Sequence, residues 1–263
     1  EGRLRCGVLM VDGIIIATVA ALGYLAAIQK ERAIMLIDSL QTLEDTEIRA
    51  ACADAYATIG TKNIIPRLAV LFNDNSPLVR MSAFYGLVAI DSNNVTFYIG
   101  KALEDSAYVM AIVAIDEIKN RKLASYLPKL KSLVEAGPQT HKDIRGAIVD
   151  CSEAFIGDTV AVTDSLARQI LIAGILDTDQ IVRRTAADIY KDKLNEDRYD
   201  QVPPANTRLS KRKITGAIEK YLANPYATVV TNRGEFDLEL YFDIAPLSVI
   251  NFIDLAKQDY YDG

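Results

Sequence analysis

Apolar and polar positions along this chain follow two different periods. From Ala33 to Leu194, apolar stretches of helical pattern alternate with short acidic or polar loops, among them Leu43-Glu44-Asp45-Thr46, Asn73-Asp74-Asn75-Ser76-Pro77 and Asp177-Thr178-Asp179. From Glu235 the period drops to two, with Phe236, Leu238, Leu240 and Phe242 alternating with Asp237, Glu239 and Tyr241. The first pattern predicts helices, the second a strand with one buried and one wet face. The β-branched run Thr228-Val229-Val230-Thr231 pairs with that strand across a turn at Asn232-Arg233-Gly234, where glycine accepts positive φ. Ala245-Pro246 then predicts a helix start, because proline's fixed φ and missing N–H are harmless in a first turn. Val249, Ile250, Phe252, Ile253 and Leu255 give this helix a broad apolar face.

The helical region repeats itself. Arg49, Arg80, Met110, Arg145 and Arg183 occupy one frame at spacings of 31, 30, 35 and 38 residues, each among aliphatic and small residues and each shortly after a polar loop. Asp and Ser in such loops satisfy free N–H groups at a helix start. Self-similarity on this scale predicts a solenoid, in which no helix pair buries its apolar stripe alone and neighbours stack into one core. The frame yields about five repeats over Ala33 to Leu194, behind a longer leading unit.

Asp74 to Ala83, with its Asp, Pro and Val-Arg followed by small apolar residues, resembles the second-helix signature of HEAT repeats, in the compact form of roughly 30 residues. The resemblance implies a curved protein-binding surface. The repeat arginines are expected to pair with an Asp or a loop carbonyl of the adjacent repeat; the alternative is a basic ladder for a ligand. Tyr56, Phe84, Tyr85, Phe97, Tyr98, Tyr108 and Phe155 are expected mostly in inter-helix packing, with a concave groove built from some of them as the alternative.

The last stretch carries Thr231, Gly234, Leu240-Tyr241-Phe242, Ala245-Pro246, Asn251-Phe252, Leu255-Ala256 and Tyr260-Tyr261-Asp262-Gly263. At these intervals it resembles the opening segment of a cyclophilin-type peptidyl-prolyl cis-trans isomerase. Asp259 departs from the glycine of many members, and it is expected to end the helix in a left-handed conformation. In the family, an arginine in a Phe-His-Arg run beyond such a Tyr-Asp-Gly donates to the prolyl nitrogen above an apolar pocket, without metal or cofactor. The resemblance therefore places the catalytic residues beyond Gly263 and assigns none here. Glu235, Asp237, Glu239, Asp243 and Asp254 are read as the solvated side of half-buried elements. A hairpin of this kind normally sits in a closed barrel; without partner strands it is expected to expose its edges and an apolar face.

Composition narrows the function classes. Half of the 263 residues are hydrophobic and 24% are charged, as in a folded protein. A net charge of −6 and a pI near 5.0 exclude a nucleic-acid partner, and the small basic cluster of Arg208 and Lys211-Arg212-Lys213 reads as a solvated helix start. Cys6, Cys52 and Cys151 are too far apart to define a disulfide framework or a metal site, and His141 has no second ligand near it. No phosphate loop or nucleophile elbow is present.

Val8 to Ile28 carries a single charge, Asp12, and nearly has the length of a membrane span. Ala21-Leu22-Gly23 nevertheless parallels Thr58-Ile59-Gly60 and Phe155-Ile156-Gly157, so a buried solenoid helix is expected, with a membrane segment as the alternative. The fold class is thus mostly α. An α-solenoid of HEAT-like pairs over 1–194 leads to a linker with a short helix over 195–224, then to a hairpin plus helix over 225–263 that begins a cyclophilin-like barrel. Two functions follow from the resemblances. One is a proline isomerase of the cyclophilin type, acting on proline-containing polypeptides and carrying a protein-binding scaffold, with the present chain inactive for want of the catalytic part. The other is a non-catalytic HEAT-repeat scaffold. No cofactor, metal or client follows from the sequence, and a lean to the bacterial cell envelope or periplasm rests on analogy alone.

Overall fold

A computed structural model describes residues 17, 19, 21–25, 29–203, 215–216, 219, 224–231, 234–258 and 260–261. The chain divides into two compact units, Glu1–Pro203 and Pro204–Gly263. Most of 8–28, most of the short helix expected within the 195–224 linker, Cys6 and Asp259 lie outside the described residues.

In the first unit, helices that follow one another in sequence pack as neighbours. A helix over 29–40 precedes α1 (Thr46–Ile59), and then come α2 (Ile65–Leu71) with α3 (Pro77–Ile90) and α4 (Val95–Leu103) with α5 (Tyr108–Asn120). The series continues with α6 (Leu127–Glu135) and α7 (Lys142–Ser152), then α8 (Ala161–Ile175) and α9 (Gln180–Leu194). The repeating frame found in the sequence falls in the second helix of each pair, the layer in which α1 packs on α3, α3 on α5, α5 on α7 and α7 on α9.

Local chemistry sets the helix ends. Asp45 accepts the N–H groups of Glu47 and Ile48 at 2.8 and 2.9 Å and so starts α1, while Gly60, at φ +67°, ends it in the left-handed region. Asp179 starts α9 in the same way, and Asn195 ends it at φ +54°. Proline opens α3, where Ser76, expected to cap the helix, makes no side-chain capping bond. One continuous apolar core runs from Val19 to Tyr190 and includes the fully buried Tyr56, Phe84 and Phe155. Two glycines let helices approach closely: a Cβ on Gly86 would lie 2.9 Å from Leu68 Cδ1, and one on Gly174 would lie 2.8 Å from Val149 Cγ2.

The second unit contains the predicted hairpin and helix. Strands β1 (Tyr226–Thr231) and β2 (Gly234–Glu239) are antiparallel, with Val229 opposite Phe236 and Ala227 opposite Leu238 on the apolar face and Thr228 opposite Asp237 on the other. Gly234 takes φ +134°, as the turn demands. Helix α10 (Pro246–Ala256) begins at the predicted proline. The expectation of a buried strand face needs correction, since every residue of β2 is exposed, Phe236 by 52% and Leu238 by 37%. A two-stranded sheet has no second layer, and the small core lies beyond its end, where Phe242 packs with Val249 and Ile250 and against Leu240 and Ile253. The uncovered apolar face anticipated from the sequence is therefore present.

Candidate functional site

The cyclophilin-like segment is held in register by its ends. Leu240 N–H donates to the Pro225 carbonyl at 2.8 Å, and Phe242 N–H donates to Asn224 Oδ1 at 3.0 Å, which fixes the chain on either side of the hairpin. Ala245 N–H donates to the Tyr241 carbonyl at 3.0 Å and turns the chain into α10. Past the helix, Tyr260 N–H returns to the Leu255 carbonyl at 3.2 Å, and the Tyr261 ring stacks on Phe252 at 5.2 Å. The Ala-Pro, Asn-Phe and Tyr-Tyr spacings thus each serve a distinct joint: helix start, apolar anchor and chain reversal.

The acids of this segment lie on its wet side. Asp237 accepts the Thr228 hydroxyl at 2.7 Å, and Glu239 accepts the Asn224 amide at 3.0 Å. Glu235 and Asp243 are exposed, and Asp254 is half-buried. No two of them meet in a cleft that could carry acid–base chemistry among the described residues.

In the solenoid the repeat arginines form inter-repeat rungs. Arg49 grips Asp74 through Nε and Nη2 at 2.8 and 3.0 Å, and its Nη1 donates to the Leu43 and Glu44 carbonyls of its own loop. Arg80 does the same with Asp105 at 2.8 and 2.7 Å and with the Asp74 and Asn75 carbonyls. Arg145 grips Asp177 at 2.6 and 2.8 Å and donates to the Gly137 and Thr140 carbonyls. Each aspartate also accepts the N–H two residues ahead, from Ser76, Ala107 and Asp179 respectively. Arg49, with the Ser76 N–H, holds the Asp74 carboxyl below its usual range against the upward push of burial. Burial pushes Asp177 up most strongly, yet Arg145 and the Asp179 N–H outweigh it and hold that carboxyl low as well. These arginines are therefore committed within the fold, as the first of the two readings expects.

The pattern breaks in two places. Met110 is buried where an arginine would stand, and the following loop, Gly137 to His141, has no aspartate to receive one. There the Tyr108 and His141 rings stack at 4.1 Å, and Lys119 reaches Asp150 at 2.7 Å. At the far end, Arg183 donates to the Asp177 and Thr178 carbonyls, but its buried Nε has no partner.

His141 also accepts the Asp143 N–H at 3.3 Å and so caps α7. Cys52 and Cys151 are buried, and burial pushes both thiols up to about 12, which leaves them unreactive at neutral pH. Among the described residues no group of acids, histidines and cysteines could hold a metal, and no helix is long and apolar enough to cross a membrane. Of the singled-out aromatics, Tyr56, Phe84, Tyr98 and Phe155 are core residues, whereas Tyr85, Phe97 and Tyr108 are partly exposed, Tyr85 meeting Phe84 edge-on and Tyr108 stacked on His141. Each of these three stands on an outward helix position, which composition alone does not reveal.

Both resemblances have counterparts in known families. Residues 226–263 match the family described as cyclophilin type peptidyl-prolyl cis-trans isomerase/CLD, and residues 64–93 match the HEAT repeat. The chain thus carries a HEAT-type solenoid followed by the opening segment of a cyclophilin-type domain. Among curated relatives, the peptidyl-prolyl cis-trans isomerases of Helicobacter pylori strains J99 and 26695 are each 44% identical over 45 residues, covering 17% of this chain and 28% of theirs. A Streptococcus pyogenes serotype M6 protein, whose name joins phosphatase and peptidyl-prolyl cis-trans isomerase, is 51% identical over 39 residues, 15% of this chain and 8% of its own. The chain spans little more than a quarter of the Helicobacter relatives it matches. Neither the fold nor these relatives favours a cell-envelope location.

Proposed function

We propose that the protein to which these residues belong is a proline isomerase of the cyclophilin type whose HEAT-like solenoid binds a protein partner. The observation that carries this reading is the strand–turn–strand–helix of 226–256, with Ala245-Pro246 at the helix start and Tyr260-Tyr261 folded back on it, in a segment that matches the cyclophilin family. Rotation about an X–Pro bond crosses a barrier of about 18–20 kcal/mol. The twisted amide loses resonance, its nitrogen becomes more basic, and a fixed donor aimed at that nitrogen binds the transition state more tightly than the ground state. Residues 1–263 contain no Phe-His-Arg run to supply such a donor, so no catalytic residue is assigned among them.

The test is a proline-peptide isomerisation assay on two samples, the 263-residue polypeptide and the complete product of its gene. The expected result is a buffer rate for the first and acceleration by the second. A buffer rate for both would favour the second reading, a non-catalytic scaffold, which draws its own support from the solenoid with its committed arginines. Acceleration by the 263 residues alone would overturn the view that they hold no catalytic group.

A further inference from the structure

Two clefts open side by side on the solenoid and share Asn73 and Asp74 in their walls. The larger, of about 510 Å³, lies between the α2–α3 loop and α4, and its walls include Phe72, Asn73, Arg80, Phe97, Lys101 and Ser106. The smaller, of about 350 Å³, lies one repeat earlier and includes Gln41, Thr42, Val70 and Leu71. Val70 and Lys101 stand 31 residues apart, at the same place in successive repeats.

The larger cleft has a rigid aromatic wall. Phe97 is 57% exposed at its mouth and meets the Tyr98 ring edge-on at 5.5 Å. Tyr98 is itself fixed by its hydroxyl on Asp91 at 2.8 Å and by Phe72, edge-on at 5.9 Å. An exposed aromatic beside a cavity, on a support that cannot collapse, is the usual anchor of a binding surface.

The charges of that cleft nearly cancel. Asp74 is taken by Arg49 and the Ser76 N–H, and Asp105 by Arg80 and the Ala107 N–H. The Arg80 guanidinium is filled by Asp105 and two carbonyls. What remains is the exposed ammonium of Lys101, which forms no ion pair among the described residues, while the nearby Glu104 is bonded to Lys129 at 3.0 Å. The smaller cleft offers apolar surface at Val70, 68% exposed.

We infer that the paired clefts bind an extended segment of a partner polypeptide, with an apolar side chain over Val70 and an aromatic one on Phe97, followed by Asp or Glu at Lys101. Packed helices lie about 8–10 Å apart and an extended chain advances about 3.3 Å per residue, so the two anchors are spaced by roughly three residues. Charge complementarity selects an acid over a base at the last position, since Lys101 is the exposed cation of the larger cleft and forms no ion pair among the described residues.

The test is an amide chemical-shift titration of the 263-residue protein with acetyl-Leu-Ala-Thr-Phe-Glu-amide and with its counterpart ending in Lys. Shifts are expected at Val70, Asn73, Phe97, Lys101 and Ser106, with the Glu peptide binding about two- to fivefold more tightly, the range of an exposed ion pair. Lys101→Glu is expected to invert that preference, and Phe97→Ala to weaken both peptides. Both side chains are exposed, and an unchanged melting temperature verifies that each variant is folded. The inference is overturned if neither peptide shifts these amides at millimolar concentration, if the shifts fall elsewhere, or if Lys101→Glu leaves the preference unchanged.

Discussion

Arg145 and Asp177 form a two-pronged ion pair across consecutive repeats, at 2.6 and 2.8 Å, with side chains only 4% and 1% exposed. Breaking such a pair strands a buried charge. Asp177→Ala is expected to cost about 3–5 kcal/mol in urea unfolding, whereas Lys129→Ala, which removes an exposed pair with Glu104, is expected to cost far less. Replacing both partners, Arg145→Met with Asp177→Leu, is expected to recover most of the loss. Equal costs for the two single variants would mean that the rungs do not hold the repeats together.

Acid titration provides an independent check. Asp38, Asp74 and Asp177 are held below the ordinary 3.8, the first chiefly by Arg67, so their stabilisation is complete above that value and is lost as pH falls through their lower folded values. Asp54 and Asp116 have the opposite sign. Burial raises both, with Asp150 adding to the effect on Asp116, so protonation of these two favours the fold. Urea midpoints are expected to drop steeply below about pH 4. Asp116→Asn is expected to be more stable than the parent at neutral pH, by a margin that shrinks as pH falls. A margin that grew on acidification would contradict the assignment.

Glycine substitutions separate space from propensity. A Cβ on Gly100 meets nothing within 4 Å, so Gly100→Ala is expected to stabilise by up to about 1 kcal/mol through helix propensity. On Gly174 the same atom would lie 2.8 Å from Val149 and 3.0 Å from Ala186, and the branched valine has little rotamer freedom in a helix. Gly174→Ala is therefore expected to lower stability by about 1–3 kcal/mol, as overpacking does. Melting curves that moved the same way for both would refute the close approach of α8 to α7 and α9.

The hairpin makes a prediction about association. Phe236 and Leu238 form one exposed apolar face with Val229 and Ala227 opposite them, and both strands have open edges. Sedimentation of the 263-residue chain is expected to show concentration-dependent self-association that Phe236→Lys reduces. A monomer at all concentrations for both forms would show that this face is not adhesive.

The sequence revealed some of these features and concealed others for identifiable physical reasons. Helix starts were legible because Asp45, Asp179 and Pro246 act on their own neighbours. The hairpin was legible because its period of two and its turn glycine are local. The Arg–Asp rungs were legible as a recurring arginine with an acid in each adjoining loop. The exposure of Phe97 was not, because an aromatic residue on an apolar helix reads the same whether it faces the core or a cleft. Nor could the pairing of Lys119 with Asp150 be read, since it joins residues 31 apart that share no motif. The candidate site was legible as a family segment and a repeat surface, while its clefts depend on how successive repeats stack.

Asp74, Asp105 and Asp177 each cap the loop of their own repeat while receiving an arginine from the repeat before. One carboxylate thus belongs to two units, and neither unit can loosen without disturbing the other. At Met110 that sharing lapses, and a ring stack with a half-exposed Lys119–Asp150 contact takes its place. The step from α5 to α7 is thus held by helix packing, that ring stack and Lys119, which also reaches Glu153, without a carboxylate shared between repeats.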